Sequence, residues 1–171
     1  MLDHLWNGWR AAYVTEGRLH DSFDFPPLTD DLAAVEQLIA DATCLVARRD
    51  GRLIGSVFGR READDSWFIG RLMVAPDLQG GGLGRRLLDL IENAAPAGTV
   101  RSVLVTGARS DNNQAFYRRH GIRVESLITD NGAPYRSTIH ALACKALGIR
   151  HLRTRPYRPQ TNGKAERFIR T

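Results

Sequence analysis

The sequence predicts an α/β fold of the α+β kind, and three observations lead there. Residues 72–91 read as a buried strand, a short turn, a glycine-rich bend and then an amphipathic helix. Upstream, two apolar runs flank Asp50-Gly51, a dipeptide that favours a tight hairpin. Before the hairpin, two stretches carry apolar residues at helical spacing.

Residues 2–20 form the first predicted helix, with Leu5, Trp6, Trp9, Ala12 and Tyr13 on one side. Pro26-Pro27 closes a loop, and Thr29 is expected to cap a second helix over residues 30–40, with acids in its first turn and Leu32, Val35, Leu38 and Ile39 facing inward. Residues 44–48 and 53–60 are the hairpin strands. Residues 61–66 make a polar turn into the strand at 67–74, and Glu62, Asp64 and Asp65 sit in it. In the helix after the glycines, Leu83, Leu87, Leu88 and Ile91 line one stripe while Arg85, Arg86 and Asp89 look outward. Residues 101–106 read as a short buried strand, followed by a helix that ends near Gly121.

The bend, Gly80-Gly81-Gly82-Leu83-Gly84, leaves the first N–H groups of its helix uncovered by side chains, and those groups have no intrahelical acceptor. With the positive end of the helix dipole they make a pocket for an anion such as a phosphate, or they make only a tight turn. A P-loop is excluded, because Gly84 is followed by Arg85-Arg86 rather than Lys and a hydroxyl. A dinucleotide fingerprint fails too, since the strand at 101–106 ends without the required acid.

The bend resembles motif A of the GNAT superfamily of N-acetyltransferases. Gln79, Gly82 and Gly84 match the family's Gln/Arg-x-x-Gly-x-Gly/Ala, and Leu-Met-Val-Ala-Pro-Asp before them looks like the family's fourth strand and its exit. Residues 110–121, Ser-Asp-Asn-Asn-Gln-Ala-Phe-Tyr-Arg-Arg-His-Gly, are similar to motif B at the expected distance. This resemblance implies acetyl-CoA as cosubstrate, an amine on a small molecule or protein as acceptor, and no metal. It implies that backbone groups near Met73 and Val74 hold the pantetheine arm and polarise the acetyl carbonyl. Gln79, Gly80, Gly81, Gly82, Leu83, Gly84 and Arg85 would hold the diphosphate, Asn112 or Asn113 would bond the coenzyme, and Tyr117 would be the general acid. The first two helices would wall the acceptor site, where Trp6, Trp9 and Tyr13 either touch substrate or pack against one another. Some relatives place a proton-accepting carboxylate in the turn that holds Glu62, Asp64 and Asp65. The family's first strand has no counterpart ahead of residue 2.

A chain of 171 residues with 43% hydrophobic content has room for one ordinary domain and a fragment. Its first twenty residues include Asp3, His4, Arg10 and Glu16 without an unbroken apolar run, so neither a signal peptide nor a membrane span is expected. Cys44 and Cys144 are far apart and lack metal-site spacing, as in reduced cysteines of a cytoplasmic protein. Charge is divided unevenly. Residues 1–121 carry 14 Arg and no Lys against 16 acids, whereas residues 122–171 carry 10 basic residues against 3 acids. So abrupt a change suggests two origins.

Residues 127–132 and 155–167 carry the second origin. Leu-Ile-Thr-Asp-Asn-Gly, then Arg-Pro-Tyr-Arg-Pro-Gln-Thr-Asn-Gly-Lys-Ala-Glu-Arg, resemble the RNase H-like integrase core of insertion-sequence transposases. Asp130 and Glu166, 35 residues apart in between, match two of that family's three metal-binding carboxylates, and the third is absent. The expected organisation is therefore an acetyltransferase domain over 1–121, lacking its first strand and its own last two, joined to an integrase-core fragment over 122–171. DNA strand transfer is not expected of two carboxylates without the third. The basic tail would bind nucleic acid weakly and non-specifically, and sheet edges left by missing strands would suit a homodimer. In the fragment, residues 123–129 read as a strand, 135–147 as a helix and 150–154 as a strand, an order that favours parallel pairing. The alternative is a hairpin at Asp130-Asn131-Gly132 with residues 135–142 as a strand.

Overall fold

A computed structural model describes residues 2–21, 23–24, 26–107, 110–124, 126–129, 138–146, 150–153 and 169–170. The chain forms two compact units, residues 1–102 and 103–171. No helix among the described residues is long and apolar enough to cross a membrane.

In the first unit, α1 (Leu2–His20), α2 (Pro26–Thr29) and α3 (Leu32–Ala40) precede β1 (Thr43–Arg49), β2 (Arg52–Arg61) and β3 (Ser66–Val74). The loop before α3 differs from expectation. Pro26 starts a single helical turn, closed by Asp30 N–H donating to the Pro26 carbonyl at 2.9 Å, and Asp31 rather than Thr29 caps α3, accepting from Ala34 N–H at 2.8 Å. Leu32 consequently sits at the exposed start of α3, 37% exposed, and Val35 is the residue that α3 buries.

β1 and β2 form the hairpin, with Asp50 at φ 50° and Gly51 at φ 78°. Two successive left-handed residues are what a type I′ turn needs, and Asn, Asp and Gly adopt them most readily. β2 then pairs antiparallel with β3. The register slips there: Phe58 faces Gly70, whereas Ser56 faces Met73, so β3 carries one residue too many. The surplus falls at Arg71, whose φ is +51°. A bulge of this kind turns the following side chains to the opposite face.

The faces confirm that turn. Before the bulge Trp67 looks toward α4 (Leu83–Asn93), donating from Nε1 to the Ile91 carbonyl at 2.9 Å. After it Met73 packs instead with Leu5, Trp9 and Val35 of α1 and α3. Leu87, Leu88 and Ile91 are the residues α4 buries, and Arg85, Arg86 and Asp89 are exposed, as its periodicity requires.

β4 (Arg101–Leu104) runs across the division between the units and stops two residues short of the expected strand. In the second unit α5 (Asp111–Arg119) is followed by β5 (Arg123–Val124) and β6 (Ser126–Thr129), so the expected strand at 123–129 is broken in two. β5 pairs antiparallel with β8 (Ile169–Arg170), and β8 pairs antiparallel with Val103 and Leu104 of β4. β6 leaves that sheet and pairs parallel with β7 (Arg150–Arg153) through α6 (Thr138–Ala146). Because residues 138–146 are helical, the alternative of a strand over 135–142 is ruled out. A strand–helix–strand segment returns its second strand in the same direction as the first, which accounts for the parallel pair.

Candidate active site

β3 ends where the glycine bend begins, and the residues between them are tied together locally. Ala75 N–H donates to the Ile54 carbonyl at 2.9 Å, so the strand exit is fixed to β2. A 3-10 turn, Pro76–Leu78, follows, closed by Leu78 N–H on the Ala75 carbonyl at 2.8 Å. Gln79 is exposed, and its Nε2 donates to the Val74 carbonyl at 3.3 Å. Met73 and Val74 are thereby brought to the same place as the bend.

The bend itself is open. Gly82 caps α4 with φ +82° and offers no side chain to the helix, and Gly80 has φ +80°. A Cβ at either position would meet none of the described residues within 4 Å, so the positive φ rather than close packing calls for glycine here. The first intrahelical bond is Arg86 N–H to the Gly82 carbonyl at 3.1 Å. The N–H groups of Leu83, Gly84 and Arg85 therefore precede the helix's own bonding and lie at the positive end of its dipole. Arg85 is exposed beside them, with Asp89 at 3.7 Å. An unobstructed row of donors at a helix start is suited to a phosphate or diphosphate. Gln79 through Arg85 thus follow closely on the end of β3 in the first unit, where Val74 is half-buried and the Met73 side chain is buried against Leu5, Trp9 and Val35.

Asn112, Asn113 and Tyr117 belong to α5 in the second unit. Asn112 is exposed, Asn113 is half-buried, and Tyr117 is the buried residue of the helix. The Phe116 ring stands edge-on to Tyr117 with centroids 5.2 Å apart. The helix ends in a Schellman motif: Ile122 N–H donates to the Tyr117 carbonyl at 3.1 Å and Gly121 N–H to the Arg118 carbonyl at 3.0 Å. Gly121 has φ +79°, which is why glycine closes this segment. Asp130 and Glu166 lie outside the described residues.

The turn carboxylates are already engaged. Glu62 pairs with Arg60 at 2.8 Å and Asp65 with Arg61 at 2.8 Å. Asp64 accepts from the Ser66 hydroxyl at 2.5 Å and pairs with Arg101. Those Ser66 hydrogen bonds, with Arg101 beside them, hold the Asp64 carboxyl below its usual range, which makes it a weaker base. Burial pushes the Cys44 thiol up, away from the thiolate a nucleophile needs.

Trp9 takes the packing role, one of the two expected of it, as a core residue whose Nε1 donates to the buried Ser56 hydroxyl at 2.8 Å. One feature escaped the sequence reading. Arg71 lies buried in the bulge, paired with Asp30. A lone Arg within the apolar run 67–74 was the available signal.

The profile of the Acetyltransferase (GNAT) family matches residues 4–122. The chain is 38% identical over 85 residues to an IAA acetyltransferase of Azospirillum brasilense, covering 47% of this chain and 54% of that protein. It thus spans about half the length of that relative. Its fold is similar to that of the PaiA N-acetyltransferase from Thermoplasma acidophilum, solved in complex with coenzyme A, with TM-score 0.56 and 19% identity over 72% of this chain and 84% of that one. It is also 44% identical over 54 residues to the retrovirus-related Pol polyprotein from transposon TNT 1-94 of Nicotiana tabacum, covering 32% of this chain and 4% of the polyprotein.

Proposed function

The chain belongs to the acetyltransferase (GNAT) family, and on that premise we propose that it transfers the acetyl group of acetyl-CoA to an amine. The open N–H row at the start of α4 carries this reading, because no side chain caps it among the described residues and it fits the coenzyme's diphosphate. Gln79 to Arg85 hold the diphosphate. The backbone at Met73 and Val74 takes the pantetheine arm and polarises the acetyl carbonyl. For the arm to reach the Val74 carbonyl it displaces the exposed Gln79 bond, at a cost of about 0.5–1.5 kcal/mol. Asn112 and Asn113 bond the coenzyme from α5.

The amine nitrogen forms a bond to the acetyl carbon as the carbon–sulfur bond breaks. Tyr117 gives its proton to the leaving thiolate, and the proton lost by the amine returns to Tyr117 through water. A phenol with pKa about 10 suits a thiolate of about 8.5. An acceptor amine of pKa about 10.4 must first be deprotonated, at a cost of about 4–5 kcal/mol at pH 7. With Glu62, Asp64 and Asp65 held in the ion pairs of their turn, a chain of water is proposed as the route by which that proton leaves.

Acetyl-CoA at one hundred times its dissociation constant should stabilise the protein by about 2.7 kcal/mol. A thermal shift checks it, and an unchanged melting temperature in millimolar acetyl-CoA would refute the assignment. The reading includes a cytoplasmic setting, a small-molecule or protein amine as acceptor, and a homodimer paired through the outer edge of β1, whose ladder partner is β2.

A second origin is proposed for residues 122–171, as an integrase-core remnant that replaced the acetyltransferase's own last strands and lowers its activity. The similarity to a transposon polyprotein and the sudden excess of basic residues support it. No metal-dependent strand transfer is attributed to it, since one of three carboxylates is missing. Binding of duplex DNA should be weak and should fall at least tenfold between 50 and 200 mM salt. Salt-insensitive, sequence-selective binding in a fluorescence anisotropy titration would overturn that part.

A further inference from the structure

Arg71 sits where an apolar residue would serve the fold better. Its guanidinium lies 4.6 Å above the centre of the Trp9 ring, its side chain is 8% exposed, and Asp30 pairs with its Nη2. Its Nη1 is buried and has no hydrogen-bond partner among the described residues. A charged donor left unfilled in an apolar setting is expensive, and buried ion pairs can often be replaced by packed hydrophobic side chains without loss of stability. The same residue holds a left-handed backbone, φ +51°, which a branched or long side chain rarely adopts and which collects at functional sites. The bulge has one further consequence. It swings Arg71 to the face of β3 that carries Met73, toward α1, instead of the face that carries Trp67.

Building on the acetyl-transfer reading, we propose that Arg71 is a specificity-determining residue that binds a carboxylate on the acceptor, so the acceptor class is small amino acids. The incoming carboxylate takes the unfilled Nη1 and competes with Asp30 for Nη2, giving the two-pronged contact that a guanidinium makes best. It approaches from the Asp30 side, where that carboxylate is 24% exposed. Arg71 lies two residues before Met73 on β3, and both side chains are on the α1 side of the strand, so one small molecule can present a carboxylate to the guanidinium and an amine to the backbone near Met73.

The test uses N-acetylglycine, a product-like amide with a carboxylate, against N-methylacetamide, which lacks one. Both are titrated into the full-length ¹⁵N-labelled chain while the Trp9 indole N–H resonance is followed, so no turnover is needed. N-acetylglycine should shift that resonance saturably and N-methylacetamide should not. Asp30→Asn removes the competitor and should tighten N-acetylglycine binding about tenfold, whereas a purely structural ion pair would give no gain. Arg71→Gln should abolish the shift while acetyl-CoA still raises the melting temperature; if that variant fails to fold, Asp30→Asn decides alone. A wild-type chain that responds to acetyl-CoA but shows no saturable shift, or equal shifts with both amides, overturns the role of Arg71. Loss of the acetyl-CoA response with the N-acetylglycine shift intact overturns acetyl transfer and leaves the carboxylate site standing.

Discussion

Gly84→Glu should remove acetyl-CoA binding while leaving the protein folded. Gly84 is the second residue of α4, inside the row of N–H groups that precede the first intrahelical bond. A carboxylate there places negative charge against the coenzyme's diphosphate at the point where the dipole would otherwise attract it. For the free protein the same change is favourable. Glycine within a helix costs about 0.8–1.0 kcal/mol relative to alanine, and an acid in the first turn adds about 0.3–1 kcal/mol. The two consequences therefore have opposite signs: the melting temperature without ligand should hold or rise, and acetyl-CoA affinity should fall at least 100-fold, about 2.7 kcal/mol. Calorimetric titration checks both halves, and near-native affinity in a stable Gly84→Glu protein would show that the diphosphate binds elsewhere. Gly82 is a poorer choice, because at φ +82° any side chain strains the backbone and mixes stability with binding.

The parts of the fold that were legible in the sequence are those set by local chemistry. The left-handed pair Asp50-Gly51, the apolar stripe of α4 and the glycine at the end of α5 each follow from neighbouring residues, and the structure has them where the pattern requires. The glycine bend and the helix start behind it were legible for the same reason, since a glycine bend followed at once by an amphipathic helix needs no distant partner. Choices between near-equal local options were harder. Thr29 and Asp31 are both good caps, and Pro26 settled the matter by starting a separate turn ahead of Asp30. Long-range pairing was legible only where a strand–helix–strand order dictates it, as in the parallel pairing of Ser126–Thr129 with β7. Nothing in the sequence announces that Arg123–Val124 will join β8 instead. Nor does the run 67–74 reveal its bulge: Trp67, Ile69, Arg71 and Met73 alternate regularly in sequence, and the change of face becomes visible only against β2.

Tyr117→Phe should lower kcat by about 100-fold or more, the usual contribution of a positioned proton donor, with acetyl-CoA affinity within about twofold of the parent. The substitution removes one oxygen and keeps the ring, so the edge-on contact with Phe116 and the burial of this face of α5 persist. The end of the helix persists too, because its bonds run from Gly121 and Ile122 to backbone carbonyls. A rate loss without a binding loss is the signature of an interaction made only as the thiolate departs. Leaving-group chemistry supplies the sharper measurement. An acetyl thioester whose thiol is more acidic than that of coenzyme A departs with less help, so the gap between Tyr117 and Phe should narrow with it. If Tyr117 acts only by packing, the two donors give the same ratio, and an unchanged kcat in Tyr117→Phe with acetyl-CoA bound assigns the proton to another group.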